Sequence, residues 1–176
     1  MTRILLIGYM GVGKTTIGRA LALRLGLPFC DLDEHIAQTE HTTIGEIFSK
    51  SGEDGFRRIE QEMLHEVAQR EDIVISCGGG TPCFFSNMDY MNRQGTTIYL
   101  KASPACVARY LAANSSSRPL LQGMTTEEMT AYIHQQMAQR EPYYNRAKIT
   151  INITVGDEWM TEEEILSSLL SQQLAF

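Results

Sequence analysis

The stretch GYMGVGKT, Gly8 to Thr15, fits the pattern G-x-x-x-x-G-K-[ST] with no mismatch. Ile4-Leu5-Leu6-Ile7 precedes it, a continuous apolar run that reads as a strand buried on both faces. From Thr15 to Leu25 the spacing turns helical, with Ile17, Leu21 and Leu25 on one stripe and Gly26 as the stop. Strand, glycine-rich loop and helix, in that order, are the setting in which this pattern cradles phosphate. The glycines permit torsions that bring several backbone N–H groups toward one point, and the helix N-terminus adds its positive end. Lys14 can reach the β- and γ-phosphates of a nucleoside triphosphate, and the Thr15 hydroxyl can ligate Mg²⁺. The loop leaves the phosphate acceptor unidentified.

Beyond the loop, strands and helices alternate. Pro28 to Asp31 reads as a second strand. Thr43-x-x-Glu46 and Ser51-x-x-Asp54 are capping-box patterns, the second opening a helix with a core stripe of Phe56, Ile59, Met63 and Val67. Ile73 to Cys77 is a third strand, ending in Gly78-Gly79-Gly80, and Thr96 to Leu100 is a fourth. A helix from about Ser103, a polar stretch from Asn114 to Thr126 and a helix from Thr125 to Arg140 follow. Ile149 to Val155 is a fifth strand, and Thr161-x-x-Glu164 caps a last helix bearing Ile165 and Leu169. This order implies an α/β fold with a mainly parallel sheet covered on both faces. Ligands bind such sheets at the C-terminal strand ends. Gly8, Asp31, Asp33 and the Gly78–Gly80 run all stand at such ends.

The 176 residues suffice for one domain with a full core, and 43% apolar with 20% charged residues is ordinary globular composition. A net charge of −6 argues against nucleic acid as the main partner. No apolar run approaches the roughly 20 residues that span a bilayer. The run after Met1 is too short for a signal-peptide core, so a cytoplasmic protein is expected. Cys30, Cys77, Cys83 and Cys106 form no C-x-x-C pair, and the four histidines have no ligand spacing, so neither disulfides nor zinc are expected.

Several residues suit an acceptor site, each with a plainer reading beside it. If the chain stays extended, Asp31 and Asp33 project from one face, one toward a metal and one toward a hydroxyl; the plainer reading is a turn or helix cap. Arg57 can bind a carboxylate bidentately, or pair with Glu60 or Gln61 on a solvated face. Gly78-Gly79-Gly80 implies a close backbone approach or a loose turn, and Ser76 could hold a metal-bound water. Arg118 lies in the polar stretch, where a mobile segment can close over phosphates or simply be solvated. Pro142 should disturb the helix near Arg140, turning that guanidinium either to the crevice or to the surface. Cys30 and Cys77 flank these segments and read as inert apolar residues rather than redox controls.

Taken together, GYMGVGKTTIGRALA, FCDLDEHI, TIGEIFSKSGEDGFRRIE, ISCGGGTP, SRPLL and REPYYNRA make the chain resemble shikimate kinases over nearly its whole length. The resemblance implies a three-layer α/β/α P-loop kinase fold in a single domain over residues 1–176, with a five-stranded parallel sheet of order 2-3-1-4-5. It implies substrate-binding helices at about 32–62 and a mobile lid at about 114–126. The implied reaction moves the γ-phosphoryl of ATP to the 3-hydroxyl of shikimate, giving ADP and shikimate 3-phosphate on the route to chorismate and the aromatic amino acids. By the same resemblance, Asp33 holds and deprotonates the hydroxyl, and Asp31 stands with Thr15 at Mg²⁺. Arg57 and Arg140 clamp the shikimate carboxylate, and Gly78, Gly79 and Gly80 supply backbone contacts. Gly11, Val12, Gly13, Lys14, Thr15 and Thr16 cradle the phosphates, Arg109 is the adenine-side arginine, and Arg118 is the lid arginine on ATP. Lys14, Asp33 and Arg118 are the implied catalytic groups. Mg²⁺ is the implied cofactor; ATP and shikimate are the implied partners, with no nucleic acid and no membrane, and a monomer is expected. A gluconate-type sugar-acid kinase would share the fold, but DLD, FRR and REPYY occurring together disfavour it. A nucleotide switch without chemistry is opposed by the intact Lys14, Thr15, Asp33 and Arg118.

Overall fold

The computed structural model describes residues 2–114, 121 and 123–172. Arg118 and most of the expected lid at about 114–126 lie outside the described residues. Five parallel strands form the central sheet: β1 (Arg3–Ile7), β2 (Phe29–Asp31), β3 (Ile73–Ser76), β4 (Thr96–Lys101) and β5 (Ile149–Asn152), in the order β2-β3-β1-β4-β5. The apolar runs of β1, β3 and β4 are buried, as strands covered on both faces must be. The register pairs Asp31 with Ser76 and Leu6 with Ser76, so the C-terminal ends of β2, β3 and β1 line up.

Helices α1 (Lys14–Leu25), α2 (Leu32–Thr39), α3 (Ile44–Val67), α4 (Asn87–Gln94), α5 (Pro104–Ala113), α6 (Thr126–Tyr144) and α7 (Glu162–Ser171) join the strands. Helix α1 packs on β1 and β3, α7 on β5, and α4 on β4. Among the described residues, no helix is long and apolar enough to cross a membrane.

Four local expectations need correction. The helix break falls at Gly52, whose φ of 66° and ψ of −176° kink α3, and Ser51 does not cap a new helix. The buried stripe of α3 beyond the kink is Phe56, Arg57, Glu60, Leu64 and Val67, with Ile59 and Met63 only half-buried, so two charges sit on the core side. Helix α6 runs through Pro142 to Tyr144. A proline near a helix end costs one backbone bond, and the buried Tyr144 ring, packed 5.1 Å from Tyr99, anchors the last turn. The fifth strand stops at Asn152; Thr154–Val155 (β6) pairs antiparallel with Glu158–Trp159 (β7) around Gly156, forming a separate small hairpin. Capping boxes at Thr43–Glu46 and Thr161–Glu164 are present as expected.

Candidate active site

The phosphate loop joins β1 to α1. Gly13 is the N-cap of α1 in the left-handed region, φ 84°, a conformation that excludes most side chains. Lys14 is buried, and its Nζ donates to the carbonyls of Gly8 at 2.9 Å and Tyr9 at 2.8 Å. These bonds hold the ammonium inside the loop that it closes.

Thr15, the second residue of α1, faces the end of β2. Its hydroxyl donates to Oδ2 of Asp31 at 2.6 Å. Oδ1 of Asp31 accepts from the backbone N–H groups of Asp33 (3.1 Å) and Glu34 (3.2 Å). Asp31 therefore caps α2, which is the plainer reading, and its other oxygen meets Thr15. The chain does not stay extended through Asp33. The cap turns it into a helix, so the two carboxylates diverge: Asp31 goes toward Thr15, and Asp33 toward Gly78. Two hard oxygens, one hydroxyl and one carboxylate, suit Mg²⁺, which takes few protein ligands and completes its shell with phosphate oxygens and water. Among the described residues no cluster of three or more His, Cys, Asp or Glu side chains could cage an ion alone.

Gly78-Gly79-Gly80 leaves the sheet at the end of β3, and the space a side chain would fill is taken. A methyl at Gly78 would stand 3.0 Å from Oε1 of Glu60 and 3.1 Å from Oδ1 of Asp33. One at Gly79 would stand 3.3 Å from Nη1 of Arg140, and one at Gly80 2.5 Å from Nη2 of Arg57. The triple glycine is thus the close backbone approach, not the loose turn, and four charged groups converge on it.

Arg57 is buried from α3. Its Nη1 donates to Oε2 of Glu60 at 2.9 Å and its Nη2 to Oε1 of Glu53 at 3.3 Å, while the guanidinium lies 4.1 Å from the Phe84 ring centre. Its Nε–H is buried with no acceptor among the described residues. Glu60, 1% exposed, also accepts from the Thr81 hydroxyl at 2.6 Å, in the 3₁₀ turn Thr81–Cys83. Arg140, half-buried on α6, stacks 5.4 Å from the centre of the Tyr9 ring. Tyr144 donates from its hydroxyl to the Gly79 carbonyl at 2.5 Å, tying α6 to the glycine turn.

Asp33 opens onto solvent inside the cavity but is crowded by its walls. That desolvation, followed by the nearby Asp31 and Glu60 carboxylates, pushes its carboxyl up to about 6, against the pull of Lys14 and Arg57. A carboxylate tuned there is suited to accept a proton near neutral pH. Burial likewise pushes the Cys83 thiol up to about 11 although Arg140 and Arg57 pull it down, which places both guanidiniums near one point. Burial also raises Cys30 and Cys77, as expected of unreactive thiols.

One cavity of about 590 Å³ runs from Asp33, Ser76, Gly78 and Gly79, along Gly11–Thr16, to Tyr110 and Trp159. Arg57, Gly80 and Arg140 do not line it; the two guanidiniums lie against the glycine turn at the end of β3. Arg58 is exposed. Arg109 points to the β6–β7 hairpin, where its Nη2 donates to the Asp157 carbonyl. Thr81, Tyr144, Tyr110 and Trp159 escaped the sequence reading, and Glu60 entered it only as a surface partner of Arg57. Glu60 left a signal, a charge four residues after Phe56 on the buried stripe.

A parallel sheet of this order, with a phosphate loop after β1 and an acid–arginine pocket beside it, defines a P-loop kinase of a small anionic acceptor. The shikimate kinase family model matches residues 10–173, and the chain belongs to that family. A shikimate kinase of Bacteroides thetaiotaomicron is 46% identical over 94% of this chain and 95% of its own. A crystal structure of shikimate kinase from the same organism superposes with a TM-score of 0.90 at 44% identity, covering 97% of each chain. Shikimate kinase from Acinetobacter baumannii, solved in complex with shikimate, gives 0.81 at 34% identity, covering 99% of this chain and 96% of that one.

Proposed function

We propose that the chain is an ATP-dependent shikimate kinase, and that the residues around this cavity divide the reaction as follows. The observation that carries this reading is the continuity of the cavity from Lys14 and Thr15 to Asp33, with the Arg57 and Arg140 guanidiniums against the glycine turn beside it. The loop Gly11–Thr16 holds the triphosphate, and Lys14 offsets charge on the transferring phosphoryl. Thr15 and Asp31 are the residues that would hold Mg²⁺, which when bound would offset charge on the phosphate oxygens. Arg118 is the lid arginine of the proposal.

At the other end, the guanidiniums of Arg140 and Arg57 bind the shikimate carboxylate. With that end anchored, the 3-hydroxyl meets Asp33 and lies in line with the γ-phosphorus. Asp33 takes the hydroxyl proton as the oxygen forms its bond to phosphorus, and the bond from phosphorus to the β–γ bridging oxygen breaks. Positioning supplies much of the rate in such transfers. Glu60 positions the guanidinium of Arg57 and the Thr81 hydroxyl, touching neither reacting atom.

An ADP-release assay with shikimate, gluconate and nucleoside monophosphates as acceptors tests the reading. Turnover with shikimate alone is expected. No turnover with shikimate refutes the assignment.

A further inference from the structure

Gly79 lines the cavity where the phosphate loop meets the acceptor end. A methyl on it would stand 3.3 Å from both the backbone nitrogen of Met10 and Nη1 of Arg140. With a glycine on either side, its backbone has wide torsional freedom, so something else must hold it in place. Tyr144 supplies that hold. Its hydroxyl donates to the Gly79 carbonyl at 2.5 Å, and fixing the carbonyl fixes the planar Gly79–Gly80 peptide. Tyr144 follows Arg140 by four residues in α6, so the two side chains are neighbours on one helix face, and they share a hydrogen bond. A phenol has one proton to give. Once Gly79 takes it, only lone pairs remain for Arg140, and a guanidinium has only donors. Burial pushes the phenol well above its ordinary range, against the pull of Arg140, so it remains the donor.

Resting on the reading of Arg140 as an anchor for the acceptor carboxylate, we infer that Tyr144 is a positioning residue for the transfer, whose hydroxyl holds that guanidinium and the glycine peptide beside the phosphate loop at one fixed separation. Tyr144 is 1% exposed and does not line the cavity, so it acts only through these two groups. Its own place is set by the sheet. The ring packs 5.1 Å from Tyr99 of β4, and Glu141 in the same turn of α6 accepts from Nζ of Lys101, at the end of β4, at 2.5 Å. The passage of α6 through Pro142 keeps Tyr144 one turn beyond Arg140. The separation matters because it decides where the acceptor hydroxyl falls relative to the γ-phosphoryl, and a misplacement of about 1 Å can cost 10²-fold in rate.

Tyr144→Phe removes one oxygen and keeps the ring against Tyr99. It should lower kcat/KM for shikimate by about tenfold, the scale of depriving a buried carbonyl of its donor, with part of the loss in kcat. The KM for ATP should stay within about twofold, since the phosphate loop keeps its own bonds. Tyr99→Phe takes the hydroxyl from the other ring of the pair and should leave every constant within about twofold. With Arg140 already Ala, Tyr144→Phe should cost less than about threefold more, because one of the two groups it holds is gone. A Tyr144→Phe enzyme that melts lower but keeps wild-type constants would make the hydroxyl a brace of the fold and overturn the inference. So would equal losses in the two Phe variants, or the full loss in the absence of the Arg140 guanidinium. A wild type that never phosphorylates shikimate would sink the kinase reading and this role together; an active wild type beside an unimpaired Tyr144→Phe would sink this role alone.

Discussion

At the phosphate-loop end of the cavity the lining groups come from consecutive residues, Gly11 to Thr16, shaped by left-handed torsions at Gly11 and Gly13. At the acceptor end they come from α2, α3, the turn after β3 and α6, and they are charged side chains held by one another. The first end is a backbone conformation, which any chain with the right glycines adopts. The second is an electrostatic assembly in which Glu60 accepts from both Arg57 and Thr81 away from water. A buried ion pair stripped of one partner leaves a charge with nothing to offset it. Substitutions at the acceptor end should therefore mix effects on binding with effects on folding, according to how deeply each group is paired.

The largest expected effect is on chemistry alone. Asp33→Asn keeps the shape of the side chain and removes the proposed proton acceptor. It should lower kcat by about 10²–10⁴-fold, the usual worth of a general base, while ADP still binds. A variant with near-normal kcat would show that Asp33 only orients the acceptor.

Arg57→Ala and Arg140→Ala separate the two kinds of contribution. Each should raise the KM for shikimate by about 10–100-fold, the worth of a charge-assisted bond. Arg57→Ala also leaves Glu60 buried without its partner, which costs about 3–5 kcal/mol. A melting temperature lower by roughly 10 °C follows for a domain of this size. Arg140, half-buried and stacked on Tyr9, should change the melting temperature by no more than about 3 °C. Equal thermal losses in the two variants would break the contrast between them.

The same division explains what could be read from residues alone. The phosphate loop and the Thr43 and Thr161 caps are local patterns of eight or fewer residues, and the strand–helix alternation is read one element at a time. The triple glycine announced a close approach but not what approached, because Glu60, Asp33, Arg57 and Arg140 reach it from elsewhere in the chain. Arg57 read equally well as a surface residue paired with Glu60. The pairing is present, but it is buried, because the stripe of α3 is rotated once Gly52 kinks the helix. The direction of Asp33 depended on whether β2 continued past Asp31, and the cap that Asp31 provides ended it. Trp159 was beyond reach for a simpler reason. Strands of two residues show no periodicity, so the β6–β7 hairpin left no trace in the sequence.

A pH profile sharpens the acceptor end further. With Asp33 near 6 in the free enzyme, kcat/KM should fall tenfold per pH unit below about pH 6, since the protonated acid cannot accept the hydroxyl proton. A profile flat to pH 5 would remove the crowding that raises this group.

The smallest effect follows from the same crowding, with the opposite sign for stability. Asp33 has an ordinary value of 3.8 unfolded and about 6 folded. Between those values the folded chain binds more protons than the unfolded one, so stability falls as pH rises through that window. Above about pH 6 the whole cost of holding the carboxylate is present. Asp33→Asn removes it and should raise the melting temperature at pH 8 by about 2 °C, because solvent around this open group limits the gain to less than about 1 kcal/mol. The gain should vanish below about pH 4, where the wild-type carboxyl is protonated in both states. A variant that is less stable than wild type at pH 8 would mean that Asp33 supports the fold through its charge, and that the acceptor end is tuned for packing and not for proton transfer.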